Sequence, residues 1–155
     1  MKDACLITSP FASKLARKSN RAIRSAHLGL RDRDCDGAVN RAYYAMFNIA
    51  RAALLTAGVP EESLPGTHQE LIAAFRQYAV QTGQVDRKLA GVLSRTETLR
   101  LQADYTEIEV DAKSAAETVE RAEDFVRTIE RMFALRLAAA KGESAPDQEP
   151  HGGSR

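Results

Sequence analysis

Apolar positions along this chain recur every three or four residues and almost never alternate. That spacing gathers side chains on one face of an α-helix rather than on one side of a strand. The clearest stretch lies between Asp36 and Gly58. There Val39, Ala42, Tyr43, Met46, Phe47, Ala50 and Leu54 form a single stripe. Asp36 is the expected N-cap of this helix B, and Gly58 suits a left-handed residue that ends it. Upstream, Ser9-Pro10 reads as an N-cap followed by proline in the first turn. Helix A is expected over about 10–30, with Phe11, Leu15, Ile23, Ala26 and Leu30 inward. The charged run Arg31-Asp32-Arg33-Asp34 is then a link. Two prolines make 59–66 a loop. Thr67 and Glu70 fit a capping box that opens helix C, which carries Leu71, Ile72, Phe75 and Ala79 to near Gly83. His68 falls inside this box, where helping to start the helix accounts for it. Helix D carries Val85, Leu89, Val92, Leu93 and Leu99 and ends around Ala103 to Tyr105. After a link at 106–110, Asp111 caps a long helix E. Ala115, Val119, Ala122, Val126, Ile129 and Phe133 mark its inner face to about Ala139.

The pattern predicts an all-α, compact antiparallel bundle of about five helices. From Lys141 onward there is almost nothing to bury. Residues 1–140 are therefore expected to form one helical domain and 141–155 a disordered tail. A chain of 155 residues suits a single domain. Its apolar runs are far shorter than the ~20 residues of a membrane span, so no membrane association is expected. The apolar stretch before Pro10 is too short for the core of a signal peptide. Cys5 and Cys35 make neither a disulfide framework nor a zinc spacing, which points to a reduced, cytoplasmic setting.

Charge changes the picture little. The 22 Lys and Arg nearly cancel the 21 Asp and Glu. A strongly cationic nucleic-acid binder would show a larger excess. No glycine-rich phosphate loop occurs, the three histidines sit on different elements, and no metal or other cofactor is expected. The two cysteines read as small, partly buried thiols. On helix B, Arg41, Tyr44, Asn48 and Arg51 are three and four apart and share a face beside the apolar stripe. They could hold a phosphate or a base; a solvated face with arginine stems over apolar surface explains them as well. Arg100 and Asp104, four apart, would make a surface ion pair worth little, with Tyr105 next in the chain.

Beyond these patterns, Asn40-Arg-Ala-Tyr-Tyr-Ala-Met-Phe-Asn-Ile-Ala-Arg-Ala-Ala-Leu-Leu55, followed by Gly58, resembles the signature helix of the HEPN superfamily. More narrowly, it is similar to small prokaryotic single-domain HEPN proteins. Thr67-His68 before Phe75, Leu99-Arg100-x-x-Ala103-Asp104-Tyr105, and Ala122-Glu123-x-Phe125-Val126 sit in the order that family shows. The likeness spans about Lys18 to Met132. It implies a helical bundle, commonly a homodimer, that acts as a toxin or toxin-like subunit of a toxin–antitoxin system. Its implied partner is a minimal nucleotidyltransferase antitoxin, which in some pairs adenylylates a tyrosine near the motif.

Active members of the family are metal-independent ribonucleases with an Arg-x4–6-His motif. The arginine holds the scissile phosphate and the histidine moves protons. In this chain Arg100 matches the arginine, but Tyr105, Thr106 and Glu107 fill the histidine's slots. Tyrosine, with an ordinary pKa of about 10, is a poor base at neutral pH. Asp104 could serve only if burial raised its pKa. Arg21-x5-His27 has the right spacing in the wrong helix. Two expectations follow. One is a toxin-like protein acting on RNA, with Arg100, Asp104 and Tyr105 catalytic and Arg41, Tyr44 and Asn48 binding nucleotide or phosphate. The other is a non-catalytic helical module that partners a nucleotidyltransferase or binds nucleotide.

Overall fold

The computed structural model describes residues 9–83, 85 and 87–142, with backbone alone at 80–82 and 133–142. Ser9 caps the first helix, α1 (Pro10–Arg31), its hydroxyl accepting from the Phe11 N–H at 3.2 Å. The charged link is tight: Asp32 closes α1, Arg33 takes a positive φ of 60°, and Asp34 caps α2 (Cys35–Thr56). The expected cap, Asp36, lies two residues too far in. Asp34 accepts from the Gly37 N–H at 2.9 Å, while the Asp36 carboxylate accepts from Val110 N–H, 74 residues on, at 2.9 Å. Asp36 therefore ties the link before the last helix to the start of α2.

Gly58, at φ 101°, turns the chain out of α2, and the following loop holds a short 3-10 turn, Glu61–Ser63. Thr67 and Glu70 satisfy each other's amides at the start of α3 (His68–Thr82), which Gly83 closes in the left-handed region. The fourth helix, α4, runs Arg87–Tyr105. Asp111 caps α5 (Ala112–Gly142), accepting from the Ser114 N–H at 2.8 Å. That helix ends slightly beyond the expected Ala139. The rest of the expected tail, 143–155, lies outside the described residues, as does Cys5.

Among the described residues there are five α-helices and no strand. The fold is the expected all-α bundle, with α2 at its centre, packed against each of the other four helices. Its burial exceeds one stripe: Ala38, Ala45, Ile49, Ala52 and Ala53 are enclosed along with the expected positions other than Phe47, which is half-buried against the core. Tyr43, Met46, Leu71, Phe75, Leu93, Phe125 and Ile129 fill the core. Each such side chain contributes about 1.5–3 kcal/mol when fully buried. Gly29 lets α1 and α2 approach closely, since a Cβ there would lie 3.2 Å from the Ala38 nitrogen. Between α1 and α5, Asn20 bonds Glu130 and His27 meets Glu123 at 3.0 Å. His27 is thereby accounted for as a bundle contact.

Candidate functional site

The last two turns of α4 carry the Arg100 motif. A residue four positions from an aspartate and three from a glutamate can reach both on one helix face. Arg100 does so. Its Nε and Nη2 donate to the two oxygens of Glu97 at 3.0 and 3.1 Å, and its Nη1 donates to Asp104 at 3.0 Å. This is no surface ion pair: Arg100 is 8% exposed, because the end of α4 lies against α2. Its guanidinium stands 4.9 Å from the Tyr43 ring centroid and 5.8 Å from that of Tyr44. The hydrogen bond to Glu97 is the main cause that holds the guanidinium pKa above its ordinary value, against the cost of burial.

Glu97 is thus a member of the site that sequence spacing could have found and did not. Its side chain is only 12% exposed. The Asp104 side chain is a third exposed. Tyr105 points away. Five residues along a helix rotate a side chain by about 140°, and Tyr105 is 79% exposed.

The second surprise is His68. It opens α3, as expected, and its ring also enters the aromatic cluster on α2. The Tyr43 hydroxyl and His68 Nδ1 are 2.7 Å apart. The imidazole lies 4.7 Å from the Phe47 ring and 6.1 Å from that of Tyr44, centroid to centroid. Tyr43 is wholly buried. Burial first, then the charge of Glu97 and a hydrogen bond with it, push its phenol well above the usual tyrosine range. One buried phenol therefore links the Glu97–Arg100 pair to a half-buried imidazole 25 residues away. No local signal in the sequence predicts this, because the contact needs the α2–α3 packing.

The helix B stripe divides. Tyr44 joins Arg100 and His68. Arg41 reaches the end of α4 as well, lining a shallow groove with Asp32, Asp34, Asp36 and Asp104. Four carboxylates there outweigh one guanidinium. Asn48 is half-buried one turn beyond Tyr44 and makes no hydrogen bond among the described residues. Arg51, a turn further, stands 5.5 Å from Phe11 and 5.7 Å from Phe47 by ring centroid. Its Nε is the one buried side-chain nitrogen or oxygen without a partner among the described residues. An aromatic strip thus runs along α2 from Arg100 to Arg51, with His68 over its middle.

A helical bundle with an arginine–carboxylate–tyrosine knot between α2 and α4 is the arrangement this chain presents, and comparison with known proteins gives it a family. The HEPN domain matches residues 12–132, and the chain belongs to that family. A "UPF0332 protein" of Thermotoga maritima is 31% identical over 118 residues, which are 76% of this chain and 86% of that one. Two proteins of Methanocaldococcus jannaschii bear the name "Putative toxin". One is 34% identical over 94 residues, covering 61% of this chain and 67% of its own; the other is 25% identical over 132, covering 84% and 86%. No helix among the described residues is long and apolar enough to cross a membrane.

Proposed function

We propose that this chain is a toxin-like HEPN protein that acts on RNA as the toxin half of a toxin–antitoxin pair. Membership of the HEPN family and the names of the two archaeal relatives support the toxin-like part. One observation supports the RNA part: the buried Tyr43 that lies under Arg100 also holds an imidazole, at 2.7 Å from its hydroxyl. The histidine missing after Arg100 is thus matched by one arriving from α3. Guanidinium, phenol and imidazole are the groups that metal-free phosphodiester chemistry uses.

The test is RNA cleavage by the full chain in EDTA, beside His68→Gln. Cleavage that falls about 100-fold or more in the variant is the expected result. Intact RNA with the folded wild-type chain would refute the reading.

A second reading has its own observation. Glu97 and Asp104 occupy three of the five guanidinium donors of Arg100, leaving little charge for a phosphate. In that reading the protein is a non-catalytic module, a homodimer that partners a minimal nucleotidyltransferase. Tyr105, 79% exposed beside this knot, is then the tyrosine that receives a nucleotide. Co-expression with the partner should add the mass of AMP to the wild type and not to Tyr105→Phe.

A further inference from the structure

We infer that the outer face of α1, carrying Lys14, Arg17, Lys18, Arg21 and Arg24, is a docking surface for the sugar-phosphate backbone of an RNA strand. The inference rests on the proposed action on RNA for the kind of strand. It places the grip on α1 rather than at the knot between α2 and α4.

The chain's charge is balanced only as a whole. Of its 22 Lys and Arg, six lie on α1, which holds none of its 21 Asp and Glu. With +1 over the whole chain, everything outside α1 is net negative. Five of the six cations follow one another at steps of three, one, three and three. At about 100° per residue they occupy an arc of roughly 120°. Leu15, Ala22, Ile23 and Ala26 lie buried on the other side of the helix, and all five cations are exposed. None of them makes an ion pair or a side-chain hydrogen bond among the described residues. The α5 carboxylates that meet α1 are held beside the arc, Glu123 by His27 and Glu130 by Asn20. On α5 itself the signs are mixed, and exposed Arg121 and Arg127 each pair with a glutamate four residues back. Arg31, the sixth cation of α1, adjoins the acidic groove of Asp32 and Asp34 and is left out of the surface.

The occupant follows from what this face has and what it lacks. A protein partner needs an apolar centre to its interface. Leu28, a turn beyond Arg24, is the one large apolar side chain exposed on α1. A lipid surface draws in the apolar face of an amphipathic helix, and α1 buries that face in the bundle core. A nucleic-acid backbone needs neither. Its charge repeats along its length, and Lys and Arg neutralise it with release of counterions. From Lys14 to Arg24 the cations cover about 15 Å of helix, more than one to a turn. Such contacts position a strand without reading its bases.

The test uses the full chain and a fluorescent oligouridylate with 2′-O-methyl riboses, which has no free 2′-hydroxyl and so reports binding without cleavage. Five phosphate contacts on a single strand give a log–log slope of affinity against salt of about −3.5. The triple variant Arg17→Gln, Arg21→Gln, Arg24→Gln should keep the circular dichroism and urea midpoint of the wild type. Its slope should be shallower by about 2, so that from about 50 to about 200 mM salt the wild type loses about 20-fold more affinity than the variant. Arg121→Gln with Arg127→Gln should leave the slope unchanged. On ordinary RNA the triple variant should raise KM and leave kcat alone. An unchanged slope in the folded triple variant overturns the inference, as does an equal change in the α5 variant. Polyglutamate that displaces the probe as well as unlabelled oligouridylate does, charge for charge, would assign the face to an acidic protein and overturn it too. Cleavage of ordinary RNA with a KM that the triple variant does not move would sink this surface and leave the action on RNA standing. Binding that follows the predicted slopes, with ordinary RNA left intact, would support the surface and refute the cleavage.

Discussion

Replacing Arg100 by alanine should destabilise the fold severely, and the structure says by how much. The change removes three charge-assisted hydrogen bonds. It also strips a cation from two tyrosine faces. The partners fare differently. Asp104, a third exposed, returns to water, so its arm is worth at most about 1 kcal/mol. Glu97, 12% exposed, stays behind as a buried carboxylate without its counter-charge. Breaking one side of such a pair costs about 3–5 kcal/mol. Each lost cation–π contact adds roughly 0.5–1 kcal/mol, overlapping in part with the ion pair. A total near 4 kcal/mol follows. Against a typical domain stability of about 5–15 kcal/mol, the variant stays folded with little margin. Urea unfolding followed by far-UV circular dichroism measures this directly. The decisive companion is Arg100→Ala with Glu97→Gln. If the stranded carboxylate dominates, removing its charge should recover about 2 kcal/mol, a coupling of the size that touching residues show. A loss below about 1 kcal/mol in the single variant, or no recovery in the double one, would refute the reasoning.

Three further outcomes are expected. The Tyr43 phenol keeps its proton in the folded chain where the unfolded chain releases it, so stability should fall as pH rises past the ordinary value of 10.0; Tyr43→Phe should flatten that fall in urea midpoints taken on either side of it. Asp111 is the opposite case. The Ser114 backbone N–H, then its hydroxyl, hold that carboxyl below its ordinary 3.8, so its contribution is whole above that value and lost as pH falls through the lowered one; Asp111→Asn, which caps without titrating, should lessen acid sensitivity. Asp36→Ala should leave the buried Val110 N–H without an acceptor, costing about 1–3 kcal/mol, and speed amide exchange at Val110 before any other change in the bundle.

Much of the fold was readable because it is written in local chemistry. Ser9, Thr67 with Glu70, and Asp111 cap the helices they were expected to cap, and Gly58 and Gly83 close theirs in the left-handed region. The missed cap has a plain cause. Asp34 and Asp36 both satisfy the composition rule for an N-cap, and only the distant Val110 N–H decides which carboxylate is free to do it. The candidate site was legible where it is helical and opaque where it is tertiary. Spacing showed that Arg100 could meet Asp104, and the same rule at three residues would have included Glu97. Nothing local could place His68 against Tyr43 or bury Arg100 against α2. Helical rotation carries Tyr105 outward, off the face that holds Arg100.

The central helix has one more consequence. Six of the eleven buried residues of α2 are alanines: Ala38, Ala42, Ala45, Ala50, Ala52 and Ala53. An alanine has no rotamers to lose, so ordering this helix costs almost no side-chain entropy at those positions. The large residues that do lose freedom, Tyr43 and Met46 among them, are held in a frame that was cheap to assemble. The same economy removes slack. An added methylene at these positions has to be fitted into an already filled core, which costs about 1–3 kcal/mol. Sequence drift in this protein should therefore be freest on the outer faces of α4 and α5 and slowest at the smallest residues of α2.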